Sequence, residues 1–489
     1  MSPLDRGGEL VSSLGWTDLS ILGLAMALLL VIAYVAGKKE QSTYDFFLGR
    51  RSVPALVVCL SFVATEISAV TIISVPATGF SENWQYLQFF IGSAAARLFV
   101  AFLFVPVFFK HDCTTIYEYL GARFGAATRY GGSVFFFITR LLASGVRLYA
   151  ACMGVAIIMR WSLEQALILF TLVSIAFIAF GGIKAVVWTG AYEALMFFLA
   201  GGVVAVFLLL SISGGFPAIW RAAGEAGRLS LFNLTPTLAD PKTLWAATLN
   251  AFFVGLAVFG TDQEMVQRLL TVGTRRASQK ALVGTILAAL PLTCLYLAIG
   301  TLLFVFYQQQ PGLPLPAKAD EILPHFVIHS LPAGLKGLFL AAIILASIDS
   351  PLSSLSSSFV TDIYRPLLRK AGSDKHYLWV SRMSVVAFGG VLALLAFACS
   401  YFTGILWLAF KVLAVTGGST LGVFLLGVLT KRKANRANVI AMIASALAMA
   451  LLLVLSETKI VAIGWSWLIV IGTATTFALA YALAPLLDR

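Results

Sequence analysis

The sequence predicts an all-α polytopic membrane protein, and three observations carry that reading. The 489 residues are 60% hydrophobic and only 11% charged, which excludes an ordinary soluble domain and a disordered chain. Apolar runs long enough to cross a bilayer recur from end to end, about 13 of them. Most of the 34 lysines and arginines fall on one set of alternate loops, from Lys38 and Lys39 to Lys431, Arg432 and Lys433. Basic residues collect on the cytoplasmic side of a membrane. The amino terminus is therefore expected outside and the carboxyl terminus inside a cell membrane, and an even number of spans would break the alternation. The formal charge of +12 has this topological meaning rather than a nucleic-acid one.

Taken in order, the first run, 16–37, is followed by two lysines and has no basic region before it, so it reads as a resident span rather than a cleavable leader. Runs follow at 54–79, 84–110, 126–159, 163–182 and 187–214, then at 244–270, 278–307, 333–364, 377–401 and 404–430, and last at 435–456 and 461–486. Two external loops are long, 214–243 and 308–330. The second contains PGLPLPAKADEILP, whose prolines favour irregular structure with a short helix. Neither is large enough for a catalytic domain, and the cytoplasmic loops are short. The five cysteines show no metal-ligand spacing, and no His-plus-carboxylate metal motif or GxSxG run occurs. No enzyme is expected.

Polar residues inside apolar runs are costly and mark paths for solutes or ions. The span 54–79 holds Thr65, Glu66 and Ser68 at its centre and Pro76 beyond. The span 244–270 holds Gly255, Gly260, Thr261 and Asp262. Interrupted helices in corresponding halves point to a transporter with inverted repeats. Their exposed backbone groups need a cavity or a bound ion. Five spans over 54–214 would form one repeat and five over 244–430 the other, with 16–37 before them and 435–486 after. The run Ile343–Tyr364 adds Ser347, Asp349, Ser350, Ser353, Ser354, Ser356, Ser357 and Ser358. Hydroxyls near one carboxylate suit a small hard cation. Small-residue helix packing is the competing explanation.

Seven segments, in this order and spacing, resemble the sodium/solute symporter family. They are DFFLGRRSVP at Asp45–Pro54, ATEISAV at Ala64–Val70, YEYLGARFG at Tyr117–Gly125, GGIKAVVWT at Gly181–Thr189, GTDQEMVQR at Gly260–Arg268, DSPLSSLSSSFVTDIYR at Asp349–Arg365, and GVFLLGVLTKR at Gly422–Arg432. The resemblance implies a LeuT-like core of two inverted five-helix repeats in a 13-span, amino-terminus-out layout. It implies sodium-driven symport by alternating access, with a small-molecule solute, sodium and the bilayer as partners. The implied sodium site joins the carbonyls of Ala64 and Ile67 to the Ile343 carbonyl and the Ser347 hydroxyl. Ala346 stands where relatives often carry a second hydroxyl, and Asp349 and Ser350 lie within a turn of Ser347. Where several relatives have an aspartate that helps hold a second sodium, this chain has Gly190. One sodium per cycle is the default, and a second site rebuilt from Asp349, Ser350 and Glu193 is the alternative.

Intramembrane charge narrows the solute. The candidates are Glu66, Arg97, Arg140, Arg147 and Lys411. Arg140 and Arg147 are seven residues apart and share a helix face. Either Arg147 and Lys411 receive a carboxylate or other anion on the substrate, or Glu66 pairs with Lys411 or Arg147 while Arg140 and Arg97 snorkel to the surface. Thr65, Ser68, Gln85, Gln88, Phe259 and Thr261 complete the candidate lining. Sugar carriers of the family have a tyrosine where Val258 stands, ahead of Phe259-Gly260. The arginine that clamps a carboxylate in sialic acid carriers falls at Ala143, one turn from Arg147. The expectation is thus a sodium symporter for a small polar solute with a preference for anions. A sugar or neutral amino-acid symporter is the alternative, and a transporter-like sensor or sodium-permeable channel is the alternative of another class.

Overall fold

The computed structural model describes residues 14–38, 42–159, 161–237, 240, 242–316, 319–348, 351–400, 405–461 and 463–488. Within them the chain is helical and contains no strand. Every predicted span is met by helix. Among the described residues, 9 helices are long and apolar enough on their own to cross a membrane. Some of the others are pieces of a broken span, and two of these breaks position the candidate site.

The predicted span 54–79 is two helices, α3 (Ala55–Glu66) and α4 (Ala69–Ser81), after α1 (Trp16–Gly37) and the short α2 (Thr43–Leu48). Next come α5 (Leu87–Phe99), a wide-turn segment Val100–Phe104, α6 (Val105–Lys110), α7 (Ile116–Arg123) and α8 (Ala126–Met159). The two spans expected at 163–182 and 187–214 form one run, α9 (Leu163–Ser211), with a break confined to Gly182 at φ 50° and ψ −152°. Only glycine adopts that backbone conformation readily, so a single residue does what a loop was expected to do. After α10 (Gly215–Glu225), the span 244–270 is again two helices, α11 (Leu244–Thr261) and α12 (Gln263–Leu269). There follow α13 (Arg275–Gln309), α14 (Ile322–Ser330), α15 (Leu335–Ile348), α16 (Leu352–Ser358) and a wide-turn segment Phe359–Leu368. The chain closes with α17 (Asp374–Cys399), α18 (Ile405–Leu429), α19 (Asn435–Glu457) and α20 (Leu468–Leu487).

Packing is reciprocal. The first broken helix lies on α13 through α4, and the second lies on α5 through α11. Glycine makes both approaches. A Cβ on Gly92 of α5 would sit 2.0 Å from the Thr248 carbonyl oxygen of α11, and one on Gly300 of α13 would sit 2.2 Å from the Pro76 carbonyl oxygen of α4. Small residues let membrane helices come this close, where dispersion must replace the hydrophobic drive. The interior divides into two large clusters. One surrounds Phe62, Phe104, Tyr117, Phe259 and Phe424, and the other joins the α3–α4 break to α9, α13, α14 and α15.

Candidate functional site

The first break is two residues long. α3 stops at Glu66, Ile67 takes φ −91° and ψ 93°, Ser68 takes φ −85° and ψ 171°, and α4 starts at Ala69. A helix that stops leaves the carbonyls of its last turn without intrahelical donors; the Val63 carbonyl still accepts from the Ile67 N–H at 2.9 Å, so the carbonyls that follow it lie at the break. Ala64 and Ile67 belong to the same large buried cluster as Ile343 and Ala346 of α15. Ser347 is the next residue along α15. Its side chain, like that of Lys411, lies outside the described residues, as do Asp349 and Ser350. Gly190 of α9 faces α3, where a Cβ would lie 2.5 Å from the Ser61 Oγ. A side chain at that position would have to displace the Ser61 hydroxyl. Glu193, one turn further along α9, is buried.

Three arginines of α8, Arg129, Arg140 and Arg147, lie on one helix face by their spacing. Arg129 meets Asp362 at 2.8 Å and Glu118 at 3.6 Å. Arg140 pairs with both Asp262 and Glu264. Arg147 meets no carboxylate within 4.0 Å among the described residues. Its Nη2 points instead at the carbonyl of Thr65, 3.5 Å away, at the end of α3. Two rungs of the ladder are thus neutralised by the protein, and the rung at the break meets no carboxylate among the described residues.

Arg97 does not snorkel. It is wholly buried and pairs with Glu66. Its Nη1 donates to the Ser93 Oγ at 2.7 Å, and its guanidinium lies over the Phe259 ring at 4.5 Å and the Phe90 ring at 5.6 Å. A carboxylate and two aromatic faces replace the water that a surface position would supply. Arg140, 8% exposed, is likewise interior. Among the described residues the partner of Glu66 is therefore Arg97, on the second helix after the break, rather than Arg147.

The second break has a different character. Asp262 leaves the helix at φ −105° and ψ 123°, and its Oδ1 caps α12 by accepting from the Glu264 N–H at 2.9 Å. Every residue of α12 is buried. Gln263 accepts from the Ile116 N–H at 3.0 Å and donates to the Thr114 carbonyl. Gln267 donates to the Phe47 carbonyl and to Ser353. Arg268 donates to the Glu264 carbonyl at 2.7 Å and to the Ser61 Oγ at 3.3 Å. The serine-rich run divides accordingly. Ser353 and Ser357 bind α12, Ser356 donates to the Ser381 carbonyl and meets Ser384, and Ser358 donates to Asp362. That half is packing, as small hydroxyl-bearing residues allow.

The remaining candidates are placed as follows. The Thr65 and Thr261 hydroxyls donate within their own helices, to the carbonyls of Ser61 and Ala257. Phe259 is buried, with its ring centroid 5.4 Å from that of Phe62. Ser68 is half-buried at the break. Gln85 donates to Ser230, and Gln88 donates to the Lys242 carbonyl and accepts from the Asn233 N–H. Both glutamines thereby tie the segment after α10 to the start of α5. Sequence reasoning missed this strap, for which the 145 residues between Gln88 and Asn233 gave no local signal.

A family profile described as the sodium:solute symporter family matches residues 46–445. The chain belongs to the sodium:solute symporter family. It is a sodium-coupled solute symporter of the LeuT-like fold, spanning the membrane many times. It is 28% identical over 446 residues to the sodium/sialic acid symporter of Proteus mirabilis, covering 89% of each chain. It is 28% identical to the human sodium-coupled monocarboxylate transporter 1, over 81% of this chain and 65% of that one. A solved structure described as the substrate-bound outward-open state of a Na+-coupled sialic acid symporter aligns with a TM-score of 0.88 at 25% identity, covering 97% of this chain and 99% of that one.

Proposed function

We propose that this symporter imports a small organic anion, a carboxylate above all, together with sodium. The observation that carries the reading is Arg147. An uncompensated cation in a membrane interior costs several kcal/mol, on the order of 3 on the most lenient scale. The protein supplies carboxylates to Arg129, Arg140 and Arg97 but none within ion-pairing reach of Arg147 among the described residues. A guanidinium fork matches a carboxylate with two parallel hydrogen bonds. The sialic acid and monocarboxylate relatives, named for acids, support the same class.

Coupling follows from position. Arg147 reaches the Thr65 carbonyl, between Ala64 and Ile67, whose carbonyls with that of Ile343 and the Ser347 hydroxyl are the proposed sodium ligands; Asp349 and Ser350 lie close beyond. Sodium fixes the end of α3 against α15, and the anion draws Arg147 away from the α3 carbonyl. Each ligand then raises the affinity of the other by the same factor, as linkage requires. A single sodium carried with a monoanion moves no net charge, so the concentration gradients drive the cycle. A neutral solute would instead gain roughly 2.3 kcal/mol per 100 mV.

The basic alternate loops support an amino terminus outside and a carboxyl terminus in the cytoplasm of a cell membrane. The reciprocal packing of α4 on α13 and α11 on α5 supports repeats over 54–214 and 244–430, with 435–486 outside them. The test is uptake of radiolabelled carboxylates into proteoliposomes. Uphill accumulation that requires an inward sodium gradient, and that is lost in Arg147→Gln, is expected. Downhill sodium flux without accumulation would identify a channel.

A further inference from the structure

We infer that the loop helix α14 carries a binding site for one transition-metal ion of the zinc class, held by His325 and His329, and that the ion stiffens this helix. No residue of the candidate sodium or anion site takes part. The chain has four histidines. His111 follows α6 and His376 lies on α17, where its Nε2 meets the Tyr364 hydroxyl at 3.0 Å. The other two are a pair. His325 and His329 are four residues apart on α14, so they share a face on successive turns. Their ring centroids are 4.4 Å apart, with the planes inclined at 44°.

One nitrogen of the pair is already engaged. The Tyr307 hydroxyl, near the end of α13, lies 3.1 Å from the His325 Nδ1. A phenol oxygen can accept from Nδ1–H, which leaves the Nε2 lone pair for a metal. Ligating histidines are ordinarily oriented in this way, through a hydrogen bond made by the other ring nitrogen. The support behind the bond is firm. Tyr307 is buried, and its neighbour Phe306 meets the buried Phe326 of α14 edge-on at 5.1 Å. His325 is half-buried and His329 is exposed, so an ion can enter from solvent. Neither His329 nitrogen bonds a described residue.

The donor set selects the ion. Imidazole suits zinc, copper and nickel, whereas calcium and magnesium call for several oxygens. Two histidines at i and i+4 are a zinc-binding arrangement on a helix. With bonds of about 2.0–2.1 Å, a tetrahedral ion sets its two nitrogens on the order of 3.3 Å apart. Rings at the observed separation reach that spacing by a small rotation. Among the described residues no third His, Cys, Asp or Glu stands with them around one point, so water fills the remaining positions. Glu321, exposed one turn before His325, adds a negative charge that favours a cation.

The consequence is mechanical. α14 has only 9 residues, too few for a helix to persist without support. It lies against α4, α13 and α15, so it bears on the half of the molecule that holds the first break. An ion shared by two of its turns opposes local opening of the helix.

The test uses the purified full chain without a polyhistidine tag, stripped of metal by a chelator and titrated calorimetrically with zinc chloride. Copper(II), nickel, calcium and magnesium salts are run in parallel. One zinc ion per chain is expected, with copper tighter than zinc or nickel, and no heat from calcium or magnesium. His329→Asn should weaken zinc at least tenfold, since even an outer partner of a ligating histidine is typically worth about 10–100-fold. Tyr307→Phe should weaken it by about that factor. Because His329 is exposed, the metal-free His329→Asn protein should unfold at the parent's temperature. Amide hydrogen exchange over α14 should slow with zinc in the parent and not in His329→Asn. Absence of zinc binding in the parent, calcium binding as tight as zinc, or undiminished zinc binding in His329→Asn each overturns the site. Unchanged affinity in Tyr307→Phe overturns the orienting bond, and unchanged exchange in the parent overturns the stiffening.

Discussion

The two broken helices use one backbone device for opposite ends. At the α3–α4 break the chain leaves the helix for two residues, α4 beyond it packs on α15, and an arginine with no carboxylate within 4.0 Å among the described residues stands against it. At the α11–α12 break the chain leaves the helix at a single aspartate, and Gln263, Gln267 and Arg268 of the following turn bond to the protein while Glu264 pairs with Arg140. Arg140, Asp262, Glu264 and Arg268 sum to zero charge and are all nearly or wholly buried. The difference is in electrostatic closure. At the first break Arg147 meets no carboxylate within 4.0 Å among the described residues; at the second the charges pair with one another. The first is the proposed binding site, and the second fastens α8, α3 and α16 to one short helix.

Substitutions at matched positions can break that contrast. The largest effect is expected from Arg140→Gln, which leaves two carboxylates buried beside each other. Loss of one partner of a buried pair costs about 3–5 kcal/mol, so thermal unfolding of the purified protein should shift steeply downward. Adding Asp262→Asn should recover part of the loss, and a purely additive double variant would show that the two do not act as a unit. Arg147→Gln should behave in the opposite way. Removing a cation that has no carboxylate should leave stability within about 0.5 kcal/mol of the parent. It should weaken carboxylate binding ten- to a hundredfold, about 1.5–3 kcal/mol for a charged hydrogen bond. A destabilised Arg147→Gln protein with unchanged affinity would reverse the assignment.

Smaller effects sharpen the division of the serine-rich run. Ser347→Ala should raise the sodium concentration for half-maximal uptake by roughly tenfold, the equivalent of about 1.4 kcal/mol, with little change in unfolding. Ser353→Ala, which removes a contact to Gln267, should do the reverse, costing about 1 kcal/mol of stability and leaving the sodium dependence where it was. Equal sodium dependence in both variants would erase the boundary between a ligand half and a packing half.

Much of this was legible in the chain. Polar residues at the centres of two long apolar runs marked both breaks, and the seven-residue spacing of Arg140 and Arg147 marked their shared face. The partners were not legible, because they come from distant segments. Asp262 lies 122 residues from Arg140, and Glu66 lies 31 residues from Arg97 on another helix. Without them, Arg97 and Arg140 looked like ordinary snorkelling cations. Seven serines in a row of turns looked alike in the sequence, and only α12 packing against them separates Ser353 and Ser357 from Ser347. Gln263 and Gln267, four residues apart in GTDQEMVQR, were the available signal for that seam, since two glutamines on one face of a buried helix must find partners. The run Leu163–Ser211 hid the form of its break, because one glycine kinks the backbone without interrupting the apolar pattern.

The central claim is that the unneutralised Arg147 makes this sodium symporter select anions. The most direct measurement is equilibrium binding of a carboxylate and of its uncharged amide to the purified protein, each with and without sodium. The account predicts that sodium tightens the carboxylate and that the amide binds at least tenfold more weakly in either condition. An amide that binds as tightly as the acid, with the same response to sodium, would contradict it.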